Sequence, residues 1–318
     1  MSVSSGAGTL RGPGLGVSTA DVTGDGWPDI FVANDAAANF LWINQRDGSF
    51  RESALQSGAA YSEDGMAKAG MGIAAGDFDN DGDDDVFVVN LTREGATLYR
   101  NDGGHFSDAS MPTGLGPATF PYTGFGTEWF DYDNDGLLDL FIANGAVTII
   151  ESQRGRPYPF EQRNLLLRNM GTRFEEMGSR AGAAFAILEV SRGAAFGDID
   201  SDGDVDIIVT NNNGPVRLLL NDSGAVRAWV SVQLKGKKSN QMGLGARVAV
   251  HRRGAPVLWR RAHTDSSYLS ASDPRVHFGL GDTKTIERVE VYWPDGSKET
   301  WTDMQPNGLT ALVQGTGQ

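Results

Sequence analysis

The chain has 318 residues, a formal net charge of -14 at pH 7, 42 glycines and no cysteine. This length is sufficient for a sizeable core and two domains, and a high glycine content is typical of turn-rich all-β proteins. The lack of cysteine excludes thiol catalysis, disulfides and thiolate metal sites. No apolar run in the sequence approaches the roughly 20 residues that a membrane-spanning helix needs, so membrane insertion is not expected.

The charge is divided unevenly along the chain. Residues 226–318 contain 13 Lys and Arg against 8 Asp and Glu, a net charge of +5, whereas residues 1–225 contain 14 against 33, a net charge of -19. This shift predicts two domains, one over residues 1–225 and one over residues 226–318. The negative net charge of the whole chain argues against a nucleic-acid partner, because the phosphate backbone attracts basic surfaces.

In chain order, the first stretch, residues 1–6, has neither the basic nor the apolar region of a secretory signal peptide. The chain as written is therefore expected to lack an export signal. The acidic loops described next complicate that expectation, because extracellular sites of their kind often bind calcium at about 10⁻⁴–10⁻³ M. Either an export signal lies upstream of Met1, or the sites bind calcium more tightly than such sites usually do.

The most informative stretch is Asp-Phe-Asp-Asn-Asp-Gly-Asp-Asp-Asp at residues 77–85, with carboxylates at positions one, three, five and nine. They can converge on one point only if the backbone wraps around it, and Gly82 at position six allows that turn. Carboxylates together with a backbone carbonyl near Asp83 suit Ca²⁺ better than Mg²⁺, which demands a tight octahedron. An EF-hand would need Glu at position twelve, where Val88 stands in an apolar run, so the pattern predicts a calcium loop between two strands.

The same loop occurs four times, with first aspartates at 21, 77, 131 and 198. It predicts up to four bound Ca²⁺, and the first loop, with Thr23 in place of an aspartate, is expected to bind most weakly. The predicted metal ligands, including the residue that supplies its carbonyl at position seven, are Asp21, Thr23, Asp25, Trp27 and Asp29; Asp77, Asp79, Asp81, Asp83 and Asp85; Asp131, Asp133, Asp135, Leu137 and Asp139; and Asp198, Asp200, Asp202, Asp204 and Asp206.

Each loop lies within a longer repeat, which begins with a glycine five residues before the first aspartate. A motif of Leu, an apolar residue, any residue and Asn follows each predicted strand, ending at Asn44, Asn101, Asn169 and Asn221. Spacings of 56, 54 and 67 residues, with four short strands in a unit, predict the blades of a β-propeller. We name these strands A to D, so that every aspartate loop joins strand A to strand B on one face.

The repeats resemble the FG-GAP/VCBS repeats of the integrin α-subunit propeller, where a calcium loop likewise joins two strands of a blade. The resemblance covers residues 14 to about 225 and implies an all-β fold built from propeller-type blades. Four units are present in this sequence. They predict either an incomplete ring or the C-terminal portion of a longer protein.

Residues 229–312 contain no such repeat, but alternating runs and an Asp295-Gly296 turn predict a small β-sandwich or β-barrel. The run Ser-Tyr-Leu-Ser at 267–270, followed by Val-His-Phe-Gly-Leu-Gly at 276–281, is similar to the ASPIC/UnbV domain. That domain follows FG-GAP repeats in the cartilage acidic protein family. The resemblance implies a secreted protein, at the cell surface, in the periplasm or outside the cell.

Two long insertions, residues 107–123 and 145–163, are expected on the face opposite the calcium loops. Long loops on a rigid scaffold are common binding sites, and an aromatic surface with guanidinium groups suits anionic glycans or an acidic protein. The predicted ligand-binding residues are Arg154, Arg156, Tyr158, Phe160, Phe120 and Tyr122.

Three classes of function follow from these observations. The leading hypothesis is a calcium-stabilised, extracytoplasmic binding or adhesion module that recognises a glycan or a protein. The second is an enzyme acting on a polysaccharide or another extracellular substrate through the insertion face, because related repeats occur in polysaccharide lyases and a phospholipase. The third is a structural part of a surface assembly. No catalytic residue is predicted: His263 lies near Asp265 and Ser266, but the sequence has no Gly-x-Ser-x-Gly motif.

Overall fold

The computed structural model describes residues 5–223 and 227–318, almost entirely as strands and turns. The boundary predicted at residues 225 and 226 lies outside the described residues. Only two short α-helices, α1 (Ala54–Ser57) and α2 (Leu115–Thr119), and three 3-10 turns, at Glu151–Gln153, Gly178–Ala181 and Ala183–Ala186, occur in the described part. None of these helices has the length and apolar character needed to cross a membrane.

Four antiparallel sheets follow one another along residues 14–219, and we call them blades 1 to 4. Within each blade the strands lie side by side in chain order. Their strands are β1 Gly14–Ala20, β2 Asp29–Asn34, β3 Phe40–Asn44 and β4 Phe50–Glu52; β5 Ile73–Gly76, β6 Asp85–Val88, β7 Thr97–Asp102 and β8 His105–Asp108; β9 Gly124–Phe130, β10 Asp139–Asn144, β11 Leu165–Asn169 and β12 Phe174–Glu176; and β13 Ser191–Gly197, β14 Asp206–Asn211 and β15 Arg217–Leu219.

The predicted propeller-type blades are confirmed, with each aspartate loop between the first two strands of its blade. Blade 4 has three strands in the described residues instead of the four predicted for each unit. The other three blades begin their fourth strand at or next to a phenylalanine, Phe50, Phe106 or Phe174, in a Gly-x-Phe or related sequence that the fourth repeat lacks. The first strands β1, β5, β9 and β13 lie next to one another in that order. Apolar side chains fill the space between successive blades, so the blades stack into an arc.

Glycine makes the close approach of these first strands possible. A Cβ atom on Gly72 would lie 1.6 Å from the carbonyl oxygen of Phe125 in the next blade. On Gly16 it would lie 2.4 Å from the carbonyl oxygen of Met71. Blade packing therefore explains the glycine that precedes the aspartate loop in blades 1 to 3, since a side chain there would push neighbouring blades apart. In blade 4 an added Cβ on Gly193 would meet Thr210 of the same blade and Tyr268 and Ser270 of the C-terminal domain.

The C-terminal domain is a sandwich of two sheets, ordered β19-β16-β22 and β18-β17-β20-β21. Fully buried aliphatic residues from both sheets form its core. The predicted turn at Asp295-Gly296 joins β20 to β21, a strand that the sequence patterns missed. The strands are β16 Ala228–Lys235, β17 Arg247–Arg252, β18 Leu258–Arg261, β19 Val276–Gly281, β20 Ile286–Tyr292, β21 Lys298–Trp301 and β22 Leu309–Val313.

The connection between β18 and β19, residues 262–275, enters the centre of the blade arc, and we call it the inserted loop. Ser267 forms an antiparallel bridge with Ile73 of β5. The ring of Tyr268 packs edge-on against that of Phe125 in β9, with 5.0 Å between centroids. The inserted loop also contacts β1 and β13. It therefore contacts the first strand of all four blades.

Candidate metal centres

Three of the four predicted loops bring three carboxylates together. In each, one oxygen from positions one, three and nine lies within 4.8 Å of the others. The three clusters are Asp77, Asp79 and Asp85; Asp131, Asp133 and Asp139; and Asp198, Asp200 and Asp206. Carboxylates this close together can hold a hard metal cation, which is the arrangement that the spacing predicted.

The backbone of each loop wraps around its first aspartate. The two carboxylate oxygens of Asp77 accept hydrogen bonds from the backbone N–H groups of Asp81 and Gly82, both at 3.0 Å. Gly82 at position six has a φ of 101°, a left-handed conformation that glycine adopts without strain. The same two bonds form in the third loop, between Asp131 and the backbone of Asp135 and Gly136.

The electrostatics of these loops favour a cation. Burial, with the neighbouring acids of the loop adding to it, raises the pKa of Asp77 to about 7 and holds the pKa of Asp85 and Asp139 well above its usual value. Among the described residues, one buried carboxylate oxygen of Asp79 and one of Asp198 have no hydrogen-bond partner. Burying a carboxylate oxygen without a partner destabilises the folded state, so the unpaired oxygens of Asp79 and Asp198 fit a bound metal ion.

The acidic residues at positions five and seven are not part of the three-carboxylate clusters and instead contact other groups. Asp81 shares Arg100 with Asp79, at oxygen–nitrogen distances of 3.3 and 2.8 Å. A carboxylate oxygen of Asp83 accepts a hydrogen bond from the backbone N–H of Gly103. In the third loop Arg168 contacts Asp133 and Asp135 in the same way.

The first loop is chemically distinct. Its threonine hydroxyl, on Thr23, lies 3.4 Å from a carboxylate oxygen of Asp29. Asp21 accepts hydrogen bonds from the backbone of Asp25 and Gly26, as in the other loops. The first loop therefore has the same backbone geometry as the others, while the negative charge around the predicted metal position is smaller by one.

The asparagine that ends the Leu-x-x-Asn motif is a functional residue whose role the sequence did not disclose. The backbone N–H of Asn169 donates to Asp139 at position nine of its own loop, at 2.7 Å. Its side-chain N–H group donates to the carbonyl oxygens of Leu138 and of Phe78, which belongs to the preceding blade. Asn101 and Asn221 make the equivalent bonds to Val22 and Tyr132. Asn101, Asn169 and Asn221 thus each fix the loop of their own blade and bind it to the loop of the preceding blade.

The C-terminal domain covers the face that carries the aspartate loops. The guanidinium group of Arg260 donates to Asn80 in the second loop and to Gly136 in the third, both at 3.2 Å. His277 Nε2 donates to Asn134 Oδ1 at 2.7 Å. The guanidinium of Arg275 donates to the carbonyl oxygen of Asp198 at 2.6 Å. This cover was not foreseen, because nothing in the sequence indicates which propeller face a following domain contacts.

The two insertions lie side by side at the opposite ends of the strands, as predicted. The side chain of Gln162 accepts a hydrogen bond from the backbone of Thr123 at 2.9 Å and donates to that of Pro121 at 3.2 Å. Tyr122 is half-buried beneath the guanidinium of Arg163, 5.3 Å from its ring centroid. Gln162 and Arg163 were not among the predicted site residues, yet both join the insertions, together with a backbone hydrogen bond from Gly145 to Thr123 at 3.0 Å.

The side chains predicted to bind a ligand differ in their surroundings. Phe120, Arg156 and Tyr158 are exposed, and Phe160 is half-buried. Arg154 is exposed and paired with Glu151 of the same turn. The structure therefore presents two aromatic rings and one guanidinium group without an ion-pair partner among the described residues.

Asp265, which lies near His263 in the sequence, has structural partners. Asp265 accepts hydrogen bonds from the backbone N–H of Thr19 at 2.5 Å and from the hydroxyl of Ser18. Burial acts to raise the pKa of Asp265, but the charge of Arg261, together with His263 and Thr19, lowers it to about 2. Asp265 is thus an anchor of the inserted loop on β1.

Aspartate loops repeated between the first two strands of successive blades define an FG-GAP-type propeller protein. The FG-GAP-like repeat family matches residues 21–88 and 77–142, and the ASPIC and UnbV family matches residues 236–318. The chain is 28% identical to human cartilage acidic protein 1 and 27% identical to that of Xenopus tropicalis, each over 89% of this chain. The chain thus carries FG-GAP-like repeats followed by an ASPIC/UnbV domain, and over most of its length it is similar to cartilage acidic protein 1.

The chain spans about two fifths of the length of these curated relatives, 41% of the human and 42% of the Xenopus protein. Among solved structures it is similar to an Agrocybe aegerita lectin that recognises non-reducing terminal N-acetylglucosamine, with a TM-score of 0.42, 16% identity and coverage of 93% of this chain and 79% of the lectin. A Bombyx mori GH32 β-fructofuranosidase gives a TM-score of 0.36, 12% identity and coverage of 94% and 74%. These are distant likenesses of architecture.

Proposed function

We propose that this chain is a calcium-stabilised, extracytoplasmic binding module that recognises a glycan or a protein through its insertion face. The observation that carries the proposal is the set of three aspartate clusters beneath the C-terminal domain. Metal ions at these positions would neutralise buried carboxylates at the contact between blades and C-terminal domain. Calcium would therefore stabilise both parts of the chain together.

Calcium is favoured over other cations by the donor set. Each cluster supplies carboxylate oxygens from flexible aspartates, and the loop adds backbone carbonyls, whereas nitrogen and sulfur ligands are absent from the loops. Hard oxygen ligands in a loop that tolerates six to eight donors suit Ca²⁺. Calcium at millimolar concentration is an extracellular condition, which supports a location outside the cytoplasm, as does the relationship to cartilage acidic protein.

Thermal unfolding with and without calcium tests the metal part of the proposal. At a free calcium concentration 100 times the dissociation constant, each site adds about 2.7 kcal/mol to the free energy of unfolding. Melting in millimolar CaCl₂ should therefore occur many degrees above melting in excess chelator, and MgCl₂ should restore little of the difference. The matched variant Asp139→Asn should lose part of this gain. Equal melting temperatures with calcium and with chelator would contradict the proposal.

The insertion face is the proposed binding surface because the C-terminal domain occupies the other one. The exposed rings of Phe120 and Tyr158 and the exposed guanidinium of Arg156 lie on loops that the blade scaffold holds in place. Aromatic rings stack on sugars, and guanidinium groups form bidentate hydrogen bonds with carboxylates and sulfates. An anionic glycan or an acidic protein surface could make both kinds of contact, with the aromatic rings and with the guanidinium group.

The binding part is tested with a glycan array and a partner pull-down. The double variant Arg156→Ala with Tyr158→Ala should lose binding and keep its calcium-dependent melting. The control pair Met170→Ala with Arg173→Ala removes exposed side chains from the turn between β11 and β12 and should bind normally. If a ligand is found and the first variant keeps full affinity, the insertion face is the wrong surface and the C-terminal domain becomes the better candidate.

A further inference from the structure

A cavity of about 100 Å³ lies between blades 3 and 4 and the C-terminal domain. Its walls are formed by β9, β13 and the third and fourth aspartate loops on one side, and by β16, β18, β19 and the inserted loop on the other. Asp131 and Asp198 line it from the metal clusters, whereas its other lining residues belong to no cluster. A space of this size holds several water molecules or one small ligand, since one water needs roughly 10–15 Å³.

Apart from the Asp198 oxygen already described, four buried polar atoms on the cavity walls have no partner in hydrogen-bond geometry among the described residues. On the blade side they are Oε2 of Glu128 and Nε1 of Trp129, two residues that are only 3% and 6% exposed. On the side of the C-terminal domain they are Nε of Arg260 and Nδ1 of His277. Burying such groups without partners destabilises the folded state, so we expect an occupant that hydrogen-bonds to them.

Most of these four atoms are hydrogen-bond donors. The indole N–H and the guanidinium N–H can only donate. Burial raises the pKa of Glu128 to about 8, although the Ser266 hydroxyl and the charge of Arg261 act to lower it, so the carboxyl is mostly protonated at pH 7 and carries a donor as well. Nδ1 of His277 is an acceptor, because burial keeps the ring neutral, with a pKa of about 3, while Nε2 donates to Asn134. The occupant must therefore accept several hydrogen bonds.

The charges on the cavity walls favour an anion. Three guanidinium groups line the cavity, those of Arg260, Arg261 and Arg275. Arg261 is paired with Asp265. Arg275 is paired with Asp273, whereas Arg260 has no ion-pair partner among the described residues. The acids that act on Arg260 from a distance belong to the second and third aspartate loops, where metal ions would neutralise them. A buried charge is costly unless it is paired, so an anion beside Arg260 would stabilise the calcium-loaded protein.

We propose that this cavity binds a small oxyanion, held by hydrogen bonds from Nε1 of Trp129 and Nε of Arg260. The protonated carboxyl of Glu128 donates to the same ion, and an oxyanion that itself carries an O–H, such as hydrogen phosphate or a 2-hydroxy acid, also donates to His277. Because blade 3 and the C-terminal domain each supply donors, the ion joins the two parts of the chain. The site goes beyond the proposed function, since it lies apart from the insertion face and needs no glycan or protein partner.

Isothermal titration of the full chain, at pH 7 in calcium, tests the site with sodium acetate and sodium sulfate as probes and sodium chloride as the control. Calcium is kept constant, because metal ions in the neighbouring loops would neutralise Asp131 and Asp198 and thereby favour an anion. At least one probe should bind with one ion per chain, whereas chloride should not. Tighter binding of acetate assigns the site to carboxylates, and tighter binding of sulfate assigns it to tetrahedral oxyanions.

A matched pair of tryptophan variants locates the bound ion. Trp129→Phe removes the indole N–H and keeps an aromatic ring, and it should weaken binding about tenfold or more, the loss expected for a hydrogen bond to a charged group. The control Trp293→Phe removes an indole N–H that is equally buried and equally unpaired, but lies in the core of the C-terminal domain. It should bind like the wild type. Calcium-dependent melting of both variants shows that they are folded.

Crystals of the wild-type chain give a measurement that does not depend on a variant. Soaking them with bromoacetate or selenate replaces acetate or sulfate by an anomalous scatterer, and the analogue of the tighter probe should give a signal in the cavity beside Trp129 and Arg260. Failure of the wild type to bind either probe, unchanged affinity in Trp129→Phe, or an anomalous signal only outside the cavity would each overturn the proposal. Calcium-dependent melting and the glycan array test the proposed function separately.

Discussion

At the scale of single residues, one amide connects the metal loops to the stacking of the blades. The side chain of Asn169 donates to carbonyl oxygens of two different loops, while its backbone N–H orients Asp139. Asn44 holds the same position in blade 1, where its side chain donates to Pro28 of its own loop and, within the part of the chain that the structure describes, to no other loop. Asn169 and Asn44 therefore allow the contribution of the bond between loops to be compared within one molecule.

We expect Asn169→Ala to destabilise the protein by about 1–3 kcal/mol, because two buried carbonyl oxygens lose their donor. Asn44→Ala should cost less, since the bond it removes is exposed. Chemical denaturation in calcium would measure both variants. Equal losses would show that the contact between loops contributes nothing of its own.

A second residue-scale prediction concerns the glycine contacts between blades. Gly72→Ala would place a methyl group 1.6 Å from the carbonyl oxygen of Phe125, so the two blades must move apart. We expect a loss of about 1–3 kcal/mol, the usual cost of overpacking. The control is Gly308→Ala, because an added Cβ there meets nothing within 4 Å. The melting temperatures of the two variants measure this difference. A Gly72→Ala variant that melts at the wild-type temperature would contradict the packing explanation.

At the scale of the element, the aspartate loop is a single local structure whose metal affinity follows its charge. The first and second loops share their wrapped backbone and differ at position three, Thr23 against Asp79. Affinity in such loops rises with the number of ligand charges. The first site should therefore release calcium before the others when chelator is added.

A reciprocal exchange tests this ranking. Thr23→Asp should strengthen the first site and Asp79→Thr should weaken the second, each by about tenfold, or ~1.4 kcal/mol. Isothermal titration with calcium should show the weakest class of sites disappear in the first variant and gain a member in the second. Four equal sites in the wild type would contradict the order.

At the scale of the whole molecule, the inserted loop determines how the two halves of the chain are held together. Arg261 is almost fully buried and donates to the carbonyl oxygen of Thr19 and to Asp265. Asp265 in turn accepts from β1 of blade 1. This ion pair, with Arg261 buried and Asp265 partly exposed, lies between the propeller arc and the C-terminal domain, so its loss should affect their association.

We expect Asp265→Asn to cost about 1–3 kcal/mol, because the buried Arg261 guanidinium loses its nearer carboxylate and keeps only Asp84, at 4.0 Å. Scanning calorimetry in calcium should show the cooperative transition of the wild type split in two, as the C-terminal domain detaches from the blades. The control Asp47→Asn removes a carboxylate from an exposed turn and should change little. A single unchanged transition in Asp265→Asn would show that other contacts maintain the association.

The features that the sequence predicted correctly are local ones. The wrapped loops, the glycines and the strand that follows each loop are set by residues within a dozen positions, so four copies of one spacing predicted them correctly. The pairing of the two insertions also followed, because strand order within a blade determines the end at which a loop emerges.

The sequence by itself therefore determined the all-β class, the blades and the aspartate loops, while it predicted four carboxylate sites and left a sandwich or a barrel open for the C-terminal part. Only the tertiary structure decided that this sandwich covers the metal face, that residues 262–275 enter the arc, and that Ile208 and Leu218 are left exposed while Phe141 and Leu166 are buried. These features depend on contacts between residues far apart in the chain. Identical local patterns acquire different environments there, because burial is decided by the neighbour that a surface meets and not by the surface alone.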